Sequence, residues 1–145
     1  MNLFVASHPV IALSFTVYGK PAPQGSMKAF RNKYTGRAML TSDNKLLKPW
    51  RQEVAQTAML FWKQSFDVAT PVQVELDFYF ARPKSASVKR RPGMTVKPDV
   101  DKLVRAIFDA LTGIVIHDDS QIVNVTARKH YGDPERVEIQ IQEAK

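Results

Sequence analysis

The chain has 145 residues, no cysteine, and 21 Lys plus Arg against 14 Asp plus Glu, a formal charge of +7 at pH 7. That length suits one domain, and an apolar content of 44% is enough to bury a core. The lack of thiols excludes a disulfide framework and thiolate zinc sites and fits a reducing cytoplasm, while the excess of cations suits a polyanionic partner such as nucleic acid.

The N-terminal run MNLFVASHPVIALSF has no basic leader and is interrupted by His8 and Pro9, so it reads as a lead into a strand, not a signal peptide or membrane span. VIALSFTVYG, residues 10–19, has the β-branched and aromatic content of a strand, and GKPAPQG breaks it. SMKAFRNKYTGRAML reads as a short hairpin around Asn32 to Gly36. Residues 44–63 alternate at helical spacing, with Leu47, Trp50, Val54, Ala58, Phe61 and Trp62 on or near one face and Pro49 tolerated in the first turn.

PVQVELDFYFA, residues 71–81, is the clearest strand, with Val72, Val74, Leu76, Phe78 and Phe80 on one face. Residues 82–97 carry Arg82, Lys84, Lys89, Arg90, Arg91 and Lys97 with no acid, among prolines, serines and a glycine, which is the composition of a mobile loop. A second basic stretch runs from Lys20 to Arg51, with Asp43 as its one acid. A helix then covers about Asp99 to Leu111, and QIVNVTARKHY and RVEIQIQ are expected to form a terminal hairpin across GDPE. The sum is one α+β domain over 1–145, a small mixed sheet of about four to six strands with two helices.

KPDVDKLVRAIFDALTG, residues 97–113, holds the chemistry. At 100° per residue its apolar positions share one face, and Asp101, Arg105 and Asp109 line a border of it. Pro98 biases Lys97 toward extended backbone and leaves Asp99 at the helix cap, so the two carboxylates can converge at the helix start. Capping accounts for Asp99 and the helix dipole for Asp101. Neither accounts for Asp118 and Asp119 in HDDSQ, which taken alone is a common turn.

The expectation is that the strand after HDDSQ returns beside the helix start, so that the carboxylates surround a hard divalent cation. Magnesium takes such oxygens, and a chain without thiols and with three histidines offers little to a softer metal. Acids within a basic surface repel phosphate, whereas a bound cation reverses that sign. Arg105 and Lys102 are the nearby cations, each also readable as an ordinary helix-surface charge.

These segments resemble the RusA-type Holliday junction resolvases, Mg²⁺-dependent endonucleases common in phages and prophages. The resemblance lies in Lys97 to Asp101, Asp109 to Leu111 and Asp118 to Ile122, extends across residues 71–142, and is weaker in GKPAPQGS and LKPWRQEV. It implies that Asp99, Asp101 and Asp119 are metal-binding catalytic acids, with Asp118 as a supporting ligand and Mn²⁺ able to substitute for Mg²⁺. It implies DNA contacts from the basic loop, for which Lys84, Lys89, Arg90, Arg91, Lys97 and Lys102 are the candidates. It further implies a homodimer, which suits a four-way junction because two paired cuts need two sites.

Two positions depart from the pattern: Lys102 stands where the family has asparagine, and Arg105 where it has its catalytic lysine. Arginine keeps the charge but not the proton-donating capacity of lysine, so Arg105 is suited to stabilising phosphate. Two other readings stay open, a DNA-binding module that does not cleave and a nuclease acting on flaps, forks or RNA.

Overall fold

The alternation in PVQVELDFYFA builds a strand with one face sealed and the other half open, and the rest of the sheet assembles around it. The computed structural model describes residues 12–25, 27–42 and 45–144; the apolar lead over 1–11 lies outside the described residues. In chain order the elements are β1 (Ala12–Tyr18), β2 (Met27–Arg31), β3 (Ala38–Ser42), α1 (Leu47–Phe61), β4 (Val72–Phe80), α2 (Val100–Leu111), β5 (Ile122–Tyr131) and β6 (Arg136–Glu143).

The main sheet has the order β1-β6-β4-β5. β6 runs antiparallel to both β1 and β4, and β5 lies parallel to β4. β2 and β3 form the expected hairpin, whose turn Asn32 closes by accepting the Tyr34 and Thr35 N–H groups at 2.8 and 3.0 Å. This is the α+β class read from the sequence, with two helices and a mixed sheet.

Register puts Leu13, Phe15 and Val17 of β1, the buried residues of β4, and Val137, Ile139 and Ile141 of β6 on one face. Leu47, Trp50, Val54 and Ala58 of α1 and Leu103, Ala106, Ile107, Ala110 and Leu111 of α2 pack there, so both helices lie on that side. Each fully buried Leu, Ile, Val or Phe contributes about 1.5–3 kcal/mol through area removed from water. At the margins the helical wheel overreaches, since Phe61 is 57% exposed, although it stacks on Phe15 at 5.8 Å. The opposite face is polar: Arg128 bonds Glu75 at 2.8 Å, and His130 meets Asp77 at 2.7 Å.

The expected C-terminal hairpin is not formed. β5 and β6 are separated by β4, and the connection passes over the end of that strand. The Gly132 N–H donates to the Phe80 carbonyl at 2.9 Å, and a Cβ at Gly132 would lie 2.8 Å from Tyr79 Cδ1, so a side chain there would collide. The physical reason is burial. Val137, Ile139 and Ile141 are sealed in a strand with neighbours on both sides, whereas the more polar β5 suits an edge.

Candidate active site

Asp99 occupies the cap of α2 in extended backbone (φ −70°, ψ 141°), and its carbonyl accepts the Leu103 N–H. Its carboxylate makes no capping hydrogen bond, so the capping role that the sequence suggests is not used. The side chain is exposed, with Lys102 Nζ 4.0 Å away. Asp101 follows in the first turn, and it and Arg105 are both exposed.

Two tertiary contacts hold this end of the helix. Lys129, from β5, donates to the carbonyls of Val96 and Pro98 at 2.8 and 2.9 Å. The Gln24 N–H donates to the Lys102 carbonyl at 2.9 Å, which draws the proline-rich loop after β1 alongside. Between that loop and α2 lies a cleft of about 380 Å³ whose lining includes Lys20, Gln24, Lys97, Asp99 and Lys102.

The second acidic pair sits in a short 3₁₀ turn, Asp119–Gln121, directly before β5. Asp118 caps it, accepting the Ser120 N–H at 2.9 Å. Gln121 closes a capping box: its Oε1 accepts the His117 and Asp118 N–H groups at 2.7 and 3.2 Å. Its Nε2 donates to the Asp67 and Thr70 carbonyls at 2.8 and 3.2 Å. The Ser120 backbone N–H, with further hydrogen bonds from Ser120 and Asp119, holds the Asp118 carboxyl below its usual range. The hydrogen bond to Asp118, then burial and the charges of Asp118 and Asp109, push Asp119 up. The contact between the two carboxyls thus favours ionisation of Asp118 ahead of Asp119.

The two pairs do not meet within one chain. Asp99 precedes the twelve residues of α2 and Asp118 follows them, and a helix of that length rises about 18 Å. The sheet gives a second ruler: Val72 pairs with Ile122 and Phe78 with Lys129, so β5 starts at the far end of the sheet from the Lys129 contact with Pro98. Ile122 to Lys129 spans about 23 Å of strand. The expectation that β5 starts beside the helix start is thus corrected, because a strand parallel to β4 must start where β4 starts. The acid that reaches toward Asp119 is Asp109, which Arg51 also contacts at 3.5 Å. Among the described residues no group of three or more His, Cys, Asp or Glu side chains gathers to hold a metal ion. Each pair offers two hard oxygen donors of the kind Mg²⁺ accepts, but the full set implied by the resemblance does not fit inside one protomer.

The basic loop 82–97 is folded upon itself around Arg82. That guanidinium donates to the carbonyls of Ala86, Arg91 and Pro92 at 3.2, 2.6 and 3.4 Å and lies 4.3 Å from the centre of the Tyr131 ring. Ala86 and Met94 of the same loop are buried. Lys84, Lys89, Arg90 and Lys97 point into solvent, Lys102 is half-buried, and Arg91 is half-buried with its Nη1 3.4 Å from the Tyr131 hydroxyl. Arg82, Gln121 and Lys129 thus position the candidate site, yet sequence reasoning gave them no such role. The D-x-x-Q spacing of Asp118 and Gln121 was a usable signal, since it is a capping-box pattern. Arg82 and Lys129 carried none.

A family model described as Endodeoxyribonuclease RusA matches residues 19–142, and the chain belongs to that family. It is 34% identical over 141 residues to "Uncharacterized protein YqaN" of Bacillus subtilis (strain 168), which covers 90% of this chain and 96% of that protein. It is also 32% identical over 84 residues to "Crossover junction endodeoxyribonuclease rusA" of Lactococcus phage r1t, which covers 56% of this chain and 61% of that one. No helix among the described residues is long and apolar enough to cross a membrane.

Proposed function

We propose that this chain resolves four-way DNA junctions and related branched DNA by paired phosphodiester hydrolysis, as a cytoplasmic homodimer in a bacterial or phage-infected cell. Mg²⁺ is the cofactor in this reading, with Mn²⁺ able to replace it. The observation that carries it is that both acidic pairs, at the two ends of α2, lie inside the family-matched span and are exposed on a strongly basic chain.

In this reading Asp99, Asp101 and Asp119 would hold the cation, assisted by Asp118, with the two pairs drawn from different subunits of the homodimer because they lie apart within one chain. A bound divalent ion lowers the pKa of a coordinated water and offsets charge on the phosphate oxygens. Arg105 faces that charge as a fixed cation. Lys84, Lys89, Arg90, Arg91, Lys97 and Lys102 neutralise the flanking phosphates.

The separation of the acidic pairs within one chain favours a second reading, a DNA-binding module that grips junctions without cutting. Asp101→Asn distinguishes them. The nuclease reading expects loss of Mg²⁺-dependent nicking of a synthetic junction with binding intact or tighter. A variant that nicks at the wild-type rate contradicts it, and a wild type that binds but never nicks in Mg²⁺ or Mn²⁺ supports the module.

A further inference from the structure

The cleft beside the start of α2 is built from stretches far apart in the sequence, chiefly the proline-rich loop after β1 and the residues that enter the helix. Its volume of about 380 Å³ lies at the lower end of the range, roughly 300–1,000 Å³, that ligand pockets occupy. Pro21 and Pro23 stiffen one wall, because each ring holds φ at about −65°, and Leu46 and Pro98 add apolar surface. Three lysines, Lys20, Lys97 and Lys102, stand in the same lining with Asp99.

Gln24 is the one uncharged side chain with hydrogen-bonding groups in that lining. Its backbone is pinned, since its N–H donates to the Lys102 carbonyl at 2.9 Å. Its amide is not. The Oε1 atom is sealed from solvent and has no hydrogen-bond partner among the described residues, a state that few buried polar atoms are left in. The last torsion of a glutamine side chain is broad, so a small rotation turns this oxygen toward a ligand in the cleft.

These features select among ligands. Lysines favour a phosphate, and a neutral amide set among rigid apolar walls favours a neutral flat heterocycle; a nucleotide carries both. A primary amide offers an acceptor and donors in one plane. On the base edge that stays open in paired DNA, its bidentate match is adenine, through N6–H and N7. Thymine presents an oxygen and a methyl group there and has no donor for Oε1.

Resting on the nuclease reading above, we infer that this cleft takes the nucleotide adjoining the cut phosphate and that Gln24 is a specificity-determining residue favouring adenine there. The lysines meet the phosphate, beside the acid that holds the cation in that reading. Adenine N6–H donates to Gln24 Oε1, and Gln24 Nε2 donates to N7. Binding thus supplies the partner that Oε1 lacks.

The test is a set of four-way junctions that differ only in the base pair on either side of the cut phosphate, each cut by the full chain in Mg²⁺. At one of the two positions, kcat/KM with adenine is expected to exceed that with thymine by about tenfold or more, as a bidentate contact gives. Replacing that adenine with 7-deazaadenine, which pairs normally but lacks N7, removes most of the preference in the wild type.

Gln24→Met, close in size but without donor or acceptor, is expected to cut all four junctions within about twofold of one another and to gain nothing from N7. Gln24→Glu, an acceptor only, shifts the preference toward cytosine, whose amine it accepts. A residue that merely holds the loop in place would slow every junction by one factor and leave the ratios alone.

Equal wild-type rates for the four bases, a wild-type preference for another base, or an adenine preference kept by a Gln24→Met chain that circular dichroism shows to be folded overturns the inference. Should that variant not fold, equal wild-type rates for adenine and 7-deazaadenine overturn it. A wild type that nicks no junction refutes the nuclease reading instead. Equilibrium binding by fluorescence anisotropy, with the varied pair moved through the positions at the crossover, then decides the cleft by the same ratios.

Discussion

Lys129 Nζ donates to the carbonyl of Pro98 at 2.9 Å, tying the end of β5 to the peptide immediately before Asp99. A second bond from the same ammonium, to Val96 at 2.8 Å, completes a clamp on the chain entering α2. The backbone that leads into Asp99 is therefore fixed by a residue on another element. Lys129→Met keeps the aliphatic stem and removes the donors. The expected outcome is a loss of about 1–3 kcal/mol in stability, read by denaturant titration, with faster hydrogen exchange at the first turn of α2 and at least tenfold slower junction cleavage.

Gln121 performs the equivalent service for Asp118 and Asp119. It is buried and uses both ends of its amide, against His117 and Asp118 on one side and Asp67 and Thr70 on the other. Gln121→Glu preserves the shape but turns two donors into acceptors that face carbonyls. The expected cost is about 2–4 kcal/mol, measured by urea unfolding, because buried backbone groups lose their partners. Gln121→Ala is expected to cost a comparable amount.

Arg82 donates to three loop carbonyls. A lysine has no planar fork to reach all three. Arg82→Lys should lower the free energy of local opening by about 1–2 kcal/mol, so limited proteolysis within residues 83–96 speeds up about tenfold while global unfolding changes little.

Much of the fold was legible in residue periodicity. The alternation of residues 71–81 and the apolar faces of the two helices are local patterns, and each appears in the structure where burial demands it. Strand order was not legible. Nothing local in QIVNVTARKHY and RVEIQIQ says that β4 separates them, since that depends on which strand is sealed on both sides. The same choice decides the site: the acidic residues and their turns were readable, but the direction of β5, which puts the two pairs at opposite ends of α2, is a property of the sheet. The self-bonded form of the basic loop was also hidden, because its composition is that of a solvated segment while its order comes from Arg82 and Tyr131.

Lys84, Lys89 and Arg90 are three of the exposed cations on that loop. Neutralising all three to Gln should reduce the slope of log K against log salt for junction binding by about 0.9 per lost contact, hence by roughly 2–3 units. An unchanged slope would place the DNA elsewhere.

The most direct measurement is incubation of the purified wild-type chain with a four-way junction in Mg²⁺, with the products mapped on all four strands. The account predicts metal-dependent incisions at symmetric positions on two opposed strands, abolished by chelation, with little cutting of linear duplex. Tight junction binding with no incision in Mg²⁺ or Mn²⁺, or cutting of duplex at the same rate as the junction, would contradict it.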